Sequence, residues 1–595
     1  FTNKAAAQMR EKIRQSLIRR INAPEINEEE RARLKQQLSR LPMAEISTIH
    51  SFCARFIRAN FFLADVDGNF DIVSDDDAEG KSMQSQALDQ VFSELYETAD
   101  PDFLALLSLY FRKKKDDAFK QELLRLYKQF RIRADYREEL TRLQRGEGET
   151  FASVSADMLS RVRKDFAHIR AALQESLPAL RAMGNKITAA RVEEVLSFLQ
   201  LVDAAEDYYA LCAIPMPKFS KKESVYKKDS DEKRKIIEKT DFYIGKIKDF
   251  FEKEAASVGT REEEENRFVS ARQTAGRVAA VLLRFDAQYD AVKKERAKLD
   301  YNDLEHIALR LLSRPEVAEE MRSRFDYVFV DEYQDINPVQ EKLISLVGGE
   351  NIFLVGDVKQ SIYGFRGSKS VYSTQKQSEY AAAGTSLHLS SNFRSADAVL
   401  SSVNRVFCRA MTPASCGIDY AAKPMRGGEG YGENPGRVTL HLLRKEETEK
   451  RERGVYSVIE EYMLARNNLT EDAQAREVLN IVEEELHGQI YDPDEKCMRS
   501  VRYGDIAVLA RKNSKGIPAV LSCLAENGIP VSAAAQTNVC DFPEIRQITD
   551  ILSLIDNAEQ DIPLCSALLS AMGGLDNAAL AAIRLRYQRR RGPFR

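Results

Sequence analysis

The sequence predicts an α/β protein built on a parallel sheet, interrupted by a long helical insertion. Short apolar runs typical of buried strands lie at 326–330, 352–355 and 387–389. Between the first two runs, apolar residues recur at helical spacing, and a strand–helix–strand unit of this length requires parallel strands. From about residue 75 to residue 290, the composition instead predicts long, charged helices that are poor in proline and glycine.

The remaining elements follow from the same periodicities and from capping residues. A helix is predicted over 4–21 with Thr2 or Asn3 as its N-cap, and another is predicted from Ser51. Asn337 is predicted to cap a helix that begins at Pro338, a favoured first helical residue. Further predicted elements are a short strand at 44–48, a glycine-rich loop at 426–436, strands at 437–443 and 505–511, and helical turns from there to the end.

Composition excludes several classes of protein. The 595 residues carry a net charge of −4, so any nucleic-acid site must be local rather than a basic surface. The eight cysteines show no zinc-ligand spacing, which predicts a reducing, cytoplasmic compartment, and no apolar run approaches the roughly 20 residues that span a bilayer. The lysine-dense segment 218–239 is either a solvated face or a DNA contact.

Carboxylates follow the predicted strand at 326–330 directly: Asp331, Glu332 and Asp335. In open parallel sheets, ligands bind at the carboxyl ends of the strands. The adjacent acids therefore predict either a surface turn or a hydrolytic site. In the second case, Asp331 holds Mg²⁺ on a nucleotide, while Glu332 orients and deprotonates the attacking water.

The next two strands also run into polar residues. The strand at 352–355 is followed by Gln360 and then by Tyr363 and Phe365, and the strand at 387–389 is followed by Arg394. An acid pair, an amide and an arginine, each just past a strand, match the needs of nucleoside triphosphate hydrolysis, with Arg394 stabilising charge on the γ-phosphate. Taken singly, Arg394 could form a surface salt bridge, and the two rings could pack in a core.

Together these segments resemble a known family. FTNKAA, TIHSFC, DEYQD, GDVKQSIYGFRGS and LSSNFRS occur in the order and spacing of the UvrD/Rep-like superfamily 1 DNA helicases. LDYNDLEHIALRLL (299–312) and the segment 556–584 further resemble the AddA (RexA) component of the bacterial AddAB (RexAB) helicase–nuclease.

The resemblance implies RecA-like P-loop NTPase motor domains that use ATP and Mg²⁺ to translocate on single-stranded and double-stranded DNA. It implies double-strand-break processing for recombinational repair with an AddB/RexB-type partner, and a nuclease domain beyond this chain. The implied ATP-binding residues are Gln360, Phe393 and Arg394. The implied DNA-binding residues are Phe1, Thr2, Asn3, Thr48, His50, Tyr363, Phe365 and Arg366.

The implied organisation alternates motor and insertion segments. It comprises part of a first motor domain (1–74), a helical insertion (75–290), the rest of the first motor domain (291–380), part of a second motor domain (381–555) and the start of a second insertion (556–595).

The phosphate-binding loop of that family is not found in this sequence. The nearest match, Gly80-Lys81-Ser82, follows Asp75, Asp76 and Asp77, whose charges would repel phosphate, and no strand leads into it. We expect the true loop to precede Phe1 and the 595 residues alone to be inactive. Two alternatives remain open: a stand-alone repair helicase without nuclease, and a DNA-binding module with an inactive motor.

Overall fold

A computed structural model describes residues 3–110, 116–221, 230–428, 436–443, 469–492, 497–511, 516–532, 543–570 and 572–586. The chain divides into two compact units. The first comprises Phe1–His388 and Met411–Tyr420, and the second comprises Leu389–Ala410 and Ala421–Arg595.

The first unit begins with helices α1 (Asn3–Ile21), α2 (Glu28–Arg40), α3 (Ile49–Ala59) and α4 (Phe61–Ala64), followed by strand β1 (Asp71–Val73). The helical insertion then contains α5 (Ala78–Glu97), α6 (Pro101–Tyr110), α7 (Asp117–Arg131), α8 (Tyr136–Gln144), α9 (Phe151–Ala182), α10 (Lys186–Asp203), α11 (Tyr208–Cys212), α12 (Asp231–Asp249) and α13 (Arg261–Glu295). The unit continues with β2 (Lys298–Asp300), α14 (Tyr301–Leu312), α15 (Pro315–Ser323), β3 (Val328–Val330), α16 (Pro338–Val347), β4 (Ile352–Leu354) and α17 (Ser370–Ala382).

The second unit contains β5 (Ser391–Asn392) and α18 (Asp397–Ala410), after which α19 (Pro413–Cys416) belongs to the first unit. It then contains β6 (Arg426–Gly427), α20 (Leu469–Leu486), β7 (Gln489–Asp492), β8 (Cys497–Ser500), α21 (Gly516–Glu526), α22 (Pro543–Asp556), α23 (Asp561–Leu569) and α24 (Asn577–Arg586). Single 3₁₀ turns lie at Leu41–Met43, Ala255–Ser257, Tyr333–Asp335, Val358–Gln360, Gly364–Arg366 and Tyr503–Asp505, and a π-helical turn lies at Phe250–Glu254.

The described strands form small, two-stranded sheets. Strands β1 and β2 pair in parallel, as do β3 with β4 and β5 with β6, whereas β7 and β8 are antiparallel. The unit β3–α16–β4 therefore confirms the predicted parallel strand–helix–strand arrangement. The prediction that these two strands are buried is wrong, because Phe329 is 72% exposed and Phe353 is 48% exposed. The whole helical insertion lies between β1 and β2, so the strands on either side of it pair with each other.

The described residues of the first unit form three apolar clusters. One is formed by α5 to α8 with α13, and a second is formed mainly by α9 to α12. The third joins α3, α14, α15 and α16, with Ile57, Leu304 and Val339 at its centre, and it supports the segments that follow β3 and β4. In the second unit, Val482 and Leu524 pack α20 against α21.

Several predictions about helix ends are settled by capping contacts. Asn337 caps α16 in a reciprocal capping box with Gln340, and Pro338 is the first helical residue, as predicted. Asn3 lies inside α1 rather than at its N-cap, and Thr2 is outside the described residues. The helix predicted from Ser51 begins at Ile49, because the Thr48 side chain accepts a hydrogen bond from Ser51 N at 3.2 Å and so occupies the N-cap.

The strand predictions at 44–48, 387–389, 437–443 and 505–511 are wrong for the described residues. Residues 44–48 follow a 3₁₀ turn and lead into α3, and residues 503–505 form another such turn. The apolar alternation remains, but Leu387, Leu440 and Leu509 are exposed and these segments form no ladder with any described strand. A strand requires a backbone partner as well as a suitable side-chain pattern.

Among the described residues, no helix combines the length and apolar character needed to cross a membrane.

Candidate functional site

The acids after β3 lie on a strained turn. Asp331 is exposed, and its Oδ1 accepts a hydrogen bond from Glu332 N at 2.9 Å. Glu332 has φ +54° and ψ +42°, in the left-handed region that residues with side chains seldom adopt. Such strain is retained where surrounding contacts hold it, and it is concentrated at functional sites.

Gln334 holds this turn against the next strand. It is 1% exposed, and its Nε2 donates to Glu332 Oε2 at 2.6 Å while its Oε1 accepts from Asp357 N at 3.0 Å. One buried amide thus joins the loop after β3 to the loop after β4. A Cβ at Gly356 would lie 2.9 Å from Gln334 Oε1, so a side chain there would displace this amide.

Sequence reasoning did not select Gln334, although a signal was present. It stands between Glu332 and Asp335 in the DEYQD segment, and an amide can donate and accept at the same time. Its partner is 23 positions away along the chain, so the contact itself follows from the pairing of β3 with β4.

Gln360 lies in the same loop as Asp357. Its Nε2 donates to Asp357 Oδ2 at 3.0 Å, and Lys359 Nζ lies 2.8 Å from Asp357 Oδ1. Burial acts to raise the pKa of the Asp357 carboxyl, but the hydrogen bonds from Lys359 and Gln360 outweigh it, so the pKa lies below its ordinary value. Asp357 is therefore charged, and its carboxylate fixes the position of the exposed Gln360 side chain.

The aromatic residues beyond Gln360 are exposed rather than packed in a core. Tyr363 is 37% exposed and Phe365 is 78% exposed, with their ring centroids 5.9 Å apart. Arg366 ends the 3₁₀ turn that carries Phe365, and its side chain lies outside the described residues. Gly367 follows at φ +84°, where a Cβ would collide with the Ile132 side chain of the helical insertion, so a glycine is required at this contact.

A second group of predicted residues gathers at the start of α3. Asn3 Oδ1 accepts from Ser51 Oγ at 2.9 Å and from Thr48 Oγ1 at 3.4 Å, which brings two predicted DNA-binding residues together. His50 follows on the first turn of α3, with its Nε2 3.0 Å from Glu305 Oε1 and its ring edge-on to Tyr301. Phe1 and Thr2, predicted to join this group, lie outside the described residues.

Phe393 and Arg394 belong to the second unit. Asn392 Oδ1 accepts from both Arg394 N and Ser395 N at 2.9 Å, which fixes a tight turn directly after β5. Phe393 is 63% exposed, and a Cβ at Gly428 would collide with its ring. Arg394 therefore follows a short parallel strand, as predicted, although that strand is 391–392 rather than 387–389.

Asp331 offers the chemistry that a magnesium ion requires. The described residues contain no group of three or more acidic, histidine or cysteine side chains able to hold a metal by themselves. Mg²⁺ on a nucleotide needs only one or two protein carboxylates, because phosphate and water oxygens supply the other ligands. An exposed carboxylate at the end of a parallel strand fits that demand.

The segment Gly80-Lys81-Ser82 is not a phosphate loop. It forms the first turn of α5, where Gly80 N already donates to the capping Asp77 Oδ1 at 2.7 Å. A Cβ at Gly80 would collide with Ser74 O, so this glycine is needed for close backbone packing. The prediction that no strand leads into this segment is wrong, because β1 (Asp71–Val73) precedes it. The segment still cannot act as a phosphate loop, because its glycine amide is already bonded to the Asp77 carboxylate.

Comparisons with known proteins agree with the motifs. Residues 1–381 match the family model described as UvrD/REP helicase N-terminal domain. The chain is 30% identical to an "ATP-dependent helicase/nuclease" subunit of Natranaerobius thermophilus, over 98% of this chain and 48% of that protein. For the proteins of the same name from Clostridium botulinum strain Hall and Pelotomaculum thermopropionicum, identity is 30% and 32%, over 98% of this chain and 50% of theirs.

The chain thus spans about half the length of the curated relatives that it matches. The family match covers the segments that carry the strained acids, the Gln334 bridge, the exposed rings and the Asn3–Thr48 group. It confirms the resemblance inferred from the motifs. The chain belongs to the UvrD/REP helicase family.

Proposed function

We propose that this chain contains motor segments of an ATP-dependent DNA helicase that forms part of a helicase–nuclease complex. The observation that carries the proposal is the buried Gln334 amide, which joins the strained Glu332 to the loop that bears Gln360, Tyr363 and Phe365. Family membership and the printed name of the relatives support the same function.

Each residue of the acid turn has a distinct role in this proposal. Asp331 would hold a divalent ion, for which Mg²⁺ suits a carboxylate oxygen ligand, and the ion would neutralise charge on the phosphates. Glu332 accepts the proton of the attacking water, and Gln334 orients it by donating to one of its two carboxylate oxygens. Gln360 registers the terminal phosphate of ATP, because its amide can both donate and accept.

Roles are also proposed for Arg394 and Phe393, which lie in the second unit. The proposed role of Arg394 is to stabilise the charge that develops on the transferred phosphoryl group, as an arginine finger does. Phe393, next to it, would lie against the nucleotide. The proposed organisation is that of two RecA-like motor domains: 1–74 with 291–380, interrupted by the insertion 75–290, and 381–555, before a second insertion from 556.

DNA is bound by two groups of residues in this proposal. Tyr363 and Phe365 stack on bases, which suits a motor that must move along any sequence. Asn3, Thr48 and His50 contact the strand with Phe1, Thr2 and Arg366. The double-stranded substrate is a broken DNA end processed for recombinational repair in the cytoplasm, with an AddB/RexB-type partner.

The acid turn provides the test. In the complete protein, Glu332→Gln should retain ATP and DNA binding while DNA-stimulated ATP hydrolysis falls by a factor on the order of 10² to 10⁴, because the base is removed and the shape is kept. Asp331→Asn should instead weaken Mg²⁺-dependent ATP binding. The matched control is Glu350→Gln, an exposed acid in the loop before β4, which should hydrolyse ATP at the wild-type rate.

Normal ATP hydrolysis in both acid variants would show that Asp331 and Glu332 only form a surface turn and have no catalytic role. DNA binding by the wild-type protein without any ATP hydrolysis would favour a binding module with an inactive motor. ATP-driven unwinding without DNA degradation would favour a repair helicase that lacks nuclease.

A further inference from the structure

Glu305 is a buried acid that the hydrolytic site does not use. It lies on α14 and is 2% exposed. Its Oε1 lies 3.0 Å from His50 Nε2 and accepts a hydrogen bond from Gln340 Nε2 at 2.6 Å, and its Oε2 accepts from Asn337 Nδ2 at 3.0 Å. An ionised carboxylate only accepts hydrogen bonds, so His50 carries a proton on Nε2 in this arrangement.

These hydrogen bonds keep the carboxylate charged. Burial acts to raise the pKa of the Glu305 carboxyl, but the hydrogen bonds from His50, Asn337 and Gln340 outweigh it, so the pKa lies below its ordinary value. A buried charge is retained only where such partners compensate for lost hydration.

Capping of α16 does not require Glu305. Asn337 Oδ1 already accepts from Gln340 N at 2.8 Å, and Gln340 Oε1 accepts from Asn337 N at 3.2 Å, which completes the capping box. Glu305 binds the remaining amide hydrogens of the same two side chains. It therefore adds a connection from the cap to α3 rather than completing the cap.

The two ends of this connection have different surroundings. His50 is 37% exposed and lies two residues after Thr48, in the group proposed to contact DNA. Asn337 lies two residues after Asp335, at the end of the segment that begins with the strained acids. Glu305 is the one carboxylate, among the described residues, seen to bond both ends.

We propose that Glu305 is a positioning residue that fixes the His50 imidazole and the start of α16 relative to each other, so that DNA bound at His50 increases ATP hydrolysis at the acid turn. The inference rests on the proposed function. The coupling passes through a contiguous set of hydrogen bonds that both sites can bias.

The test measures ATP hydrolysis by the complete protein, with and without single-stranded DNA. Glu305→Met removes every acceptor and keeps the side-chain size. The DNA concentration that gives half-maximal stimulation should rise about tenfold, the effect of losing a hydrogen bond to a charged group. Maximal stimulation should also fall several-fold, because the connection to the α16 cap is lost as well. DNA-independent hydrolysis and the KM for ATP should not change. Glu305→Gln, which retains one acceptor, should lie between Met and wild type.

Two further variants separate positioning from simple stability. In a His50→Ala background, Glu305→Met should add no further rise in the half-maximal DNA concentration, because its partner is already absent. Arg310→Met, which removes a hydrogen bond from the same helix to Ala64 O, should leave that concentration unchanged. A merely structural Glu305 would instead lower the melting temperature and the active fraction without changing the DNA dependence.

If Glu305→Met does not fold, Asn337→Ser provides a second test of the same connection. Serine is also a good N-cap but lacks the amide hydrogens that Glu305 accepts. The half-maximal DNA concentration should stay within about twofold, while maximal stimulation falls several-fold. Unchanged stimulation in Asn337→Ser, or an unchanged DNA dependence in Glu305→Met, would overturn the inference.

The wild-type protein distinguishes the two proposals. If DNA does not stimulate its ATP hydrolysis, the proposed function and the inference both fail. If stimulation is normal in wild type and in the Glu305 variants alike, only the inference fails.

Discussion

Two regions of the first unit use charged residues in opposite ways. Where the helical insertion meets β2 and α14, Arg131, Lys293, Asp300 and Asp303 are all at most 7% exposed and bond one another. At the end of β3, Asp331 and Glu332 lie on a strained, partly exposed turn.

In the first region, every charge has a partner of opposite sign. Lys293 Nζ lies 2.8 Å from Asp300 and 2.6 Å from Asp303, and Arg131 Nη2 lies 3.2 Å and 2.8 Å from the same two acids. In the second region, like charges are adjacent and are held by an amide and by the backbone. Paired, buried charges thus fix the insertion to the strand, whereas the acids after β3 are exposed or half-buried, as the proposed hydrolytic role requires.

The largest effect is expected from breaking the paired region. Lys293→Met leaves Asp300 and Asp303 buried with only Arg131 as a cation, so the free energy of unfolding should fall by about 3–5 kcal/mol. Denaturant unfolding of the chain measures this change. Lys294→Met is the matched control: its salt bridge to Asp65 is exposed, so it should change the free energy of unfolding by less than about 1 kcal/mol. If the two variants lowered the free energy of unfolding equally, the proposed difference between the buried and the exposed ion pairs would be wrong.

The acid turn should respond in catalysis rather than in stability. Gln334→Met removes the donor to Glu332 and the acceptor for Asp357 N while filling the same volume. We expect kcat for ATP hydrolysis in the complete protein to fall about 10- to 100-fold, the effect of losing a hydrogen bond to a charged group. A normal kcat would show that Glu332 does not depend on this bridge.

The exposed rings should affect DNA binding alone. Tyr363→Ala and Phe365→Ala should each weaken single-stranded DNA binding by about 1–3 kcal/mol, because each removes one stacking surface. For Phe365, which is 78% exposed, the free energy of unfolding should change by no more than about 0.5 kcal/mol. DNA affinity by fluorescence anisotropy checks the first statement, and unchanged affinity in both variants would exclude base stacking.

The smallest effect on affinity is expected at Gln360. Gln360→Ala removes an exposed hydrogen bond to Asp357, so DNA affinity and the free energy of unfolding should remain near wild type. Because Gln360 registers the phosphate in the proposed mechanism, unwinding per ATP consumed should fall. Parallel measurement of ATP turnover and strand separation tests this, and normal unwinding per ATP would remove the coupling role.

The sequence by itself determined the local features. The cap at Asn337, the helix from Pro338, the strands on either side of it and the unsuitability of Gly80 as a phosphate loop all depend on residues a few positions apart. Capping and periodicity depend on residues close together in the sequence, so they can be predicted from the sequence alone. The position of the acids directly after β3 follows from the same local pattern.

Only the tertiary structure decided which distant residues meet. The apolar run at 387–389 has strand character but lacks a described strand partner, while Gln334 reaches Asp357 across paired strands. Glu305 contacts the side chain of His50, which lies on a helix more than 250 positions earlier in the chain. Hydrogen bonds between distant segments depend on how separate elements pack, and no local propensity encodes them, because burial and partner geometry arise only when the chain has folded.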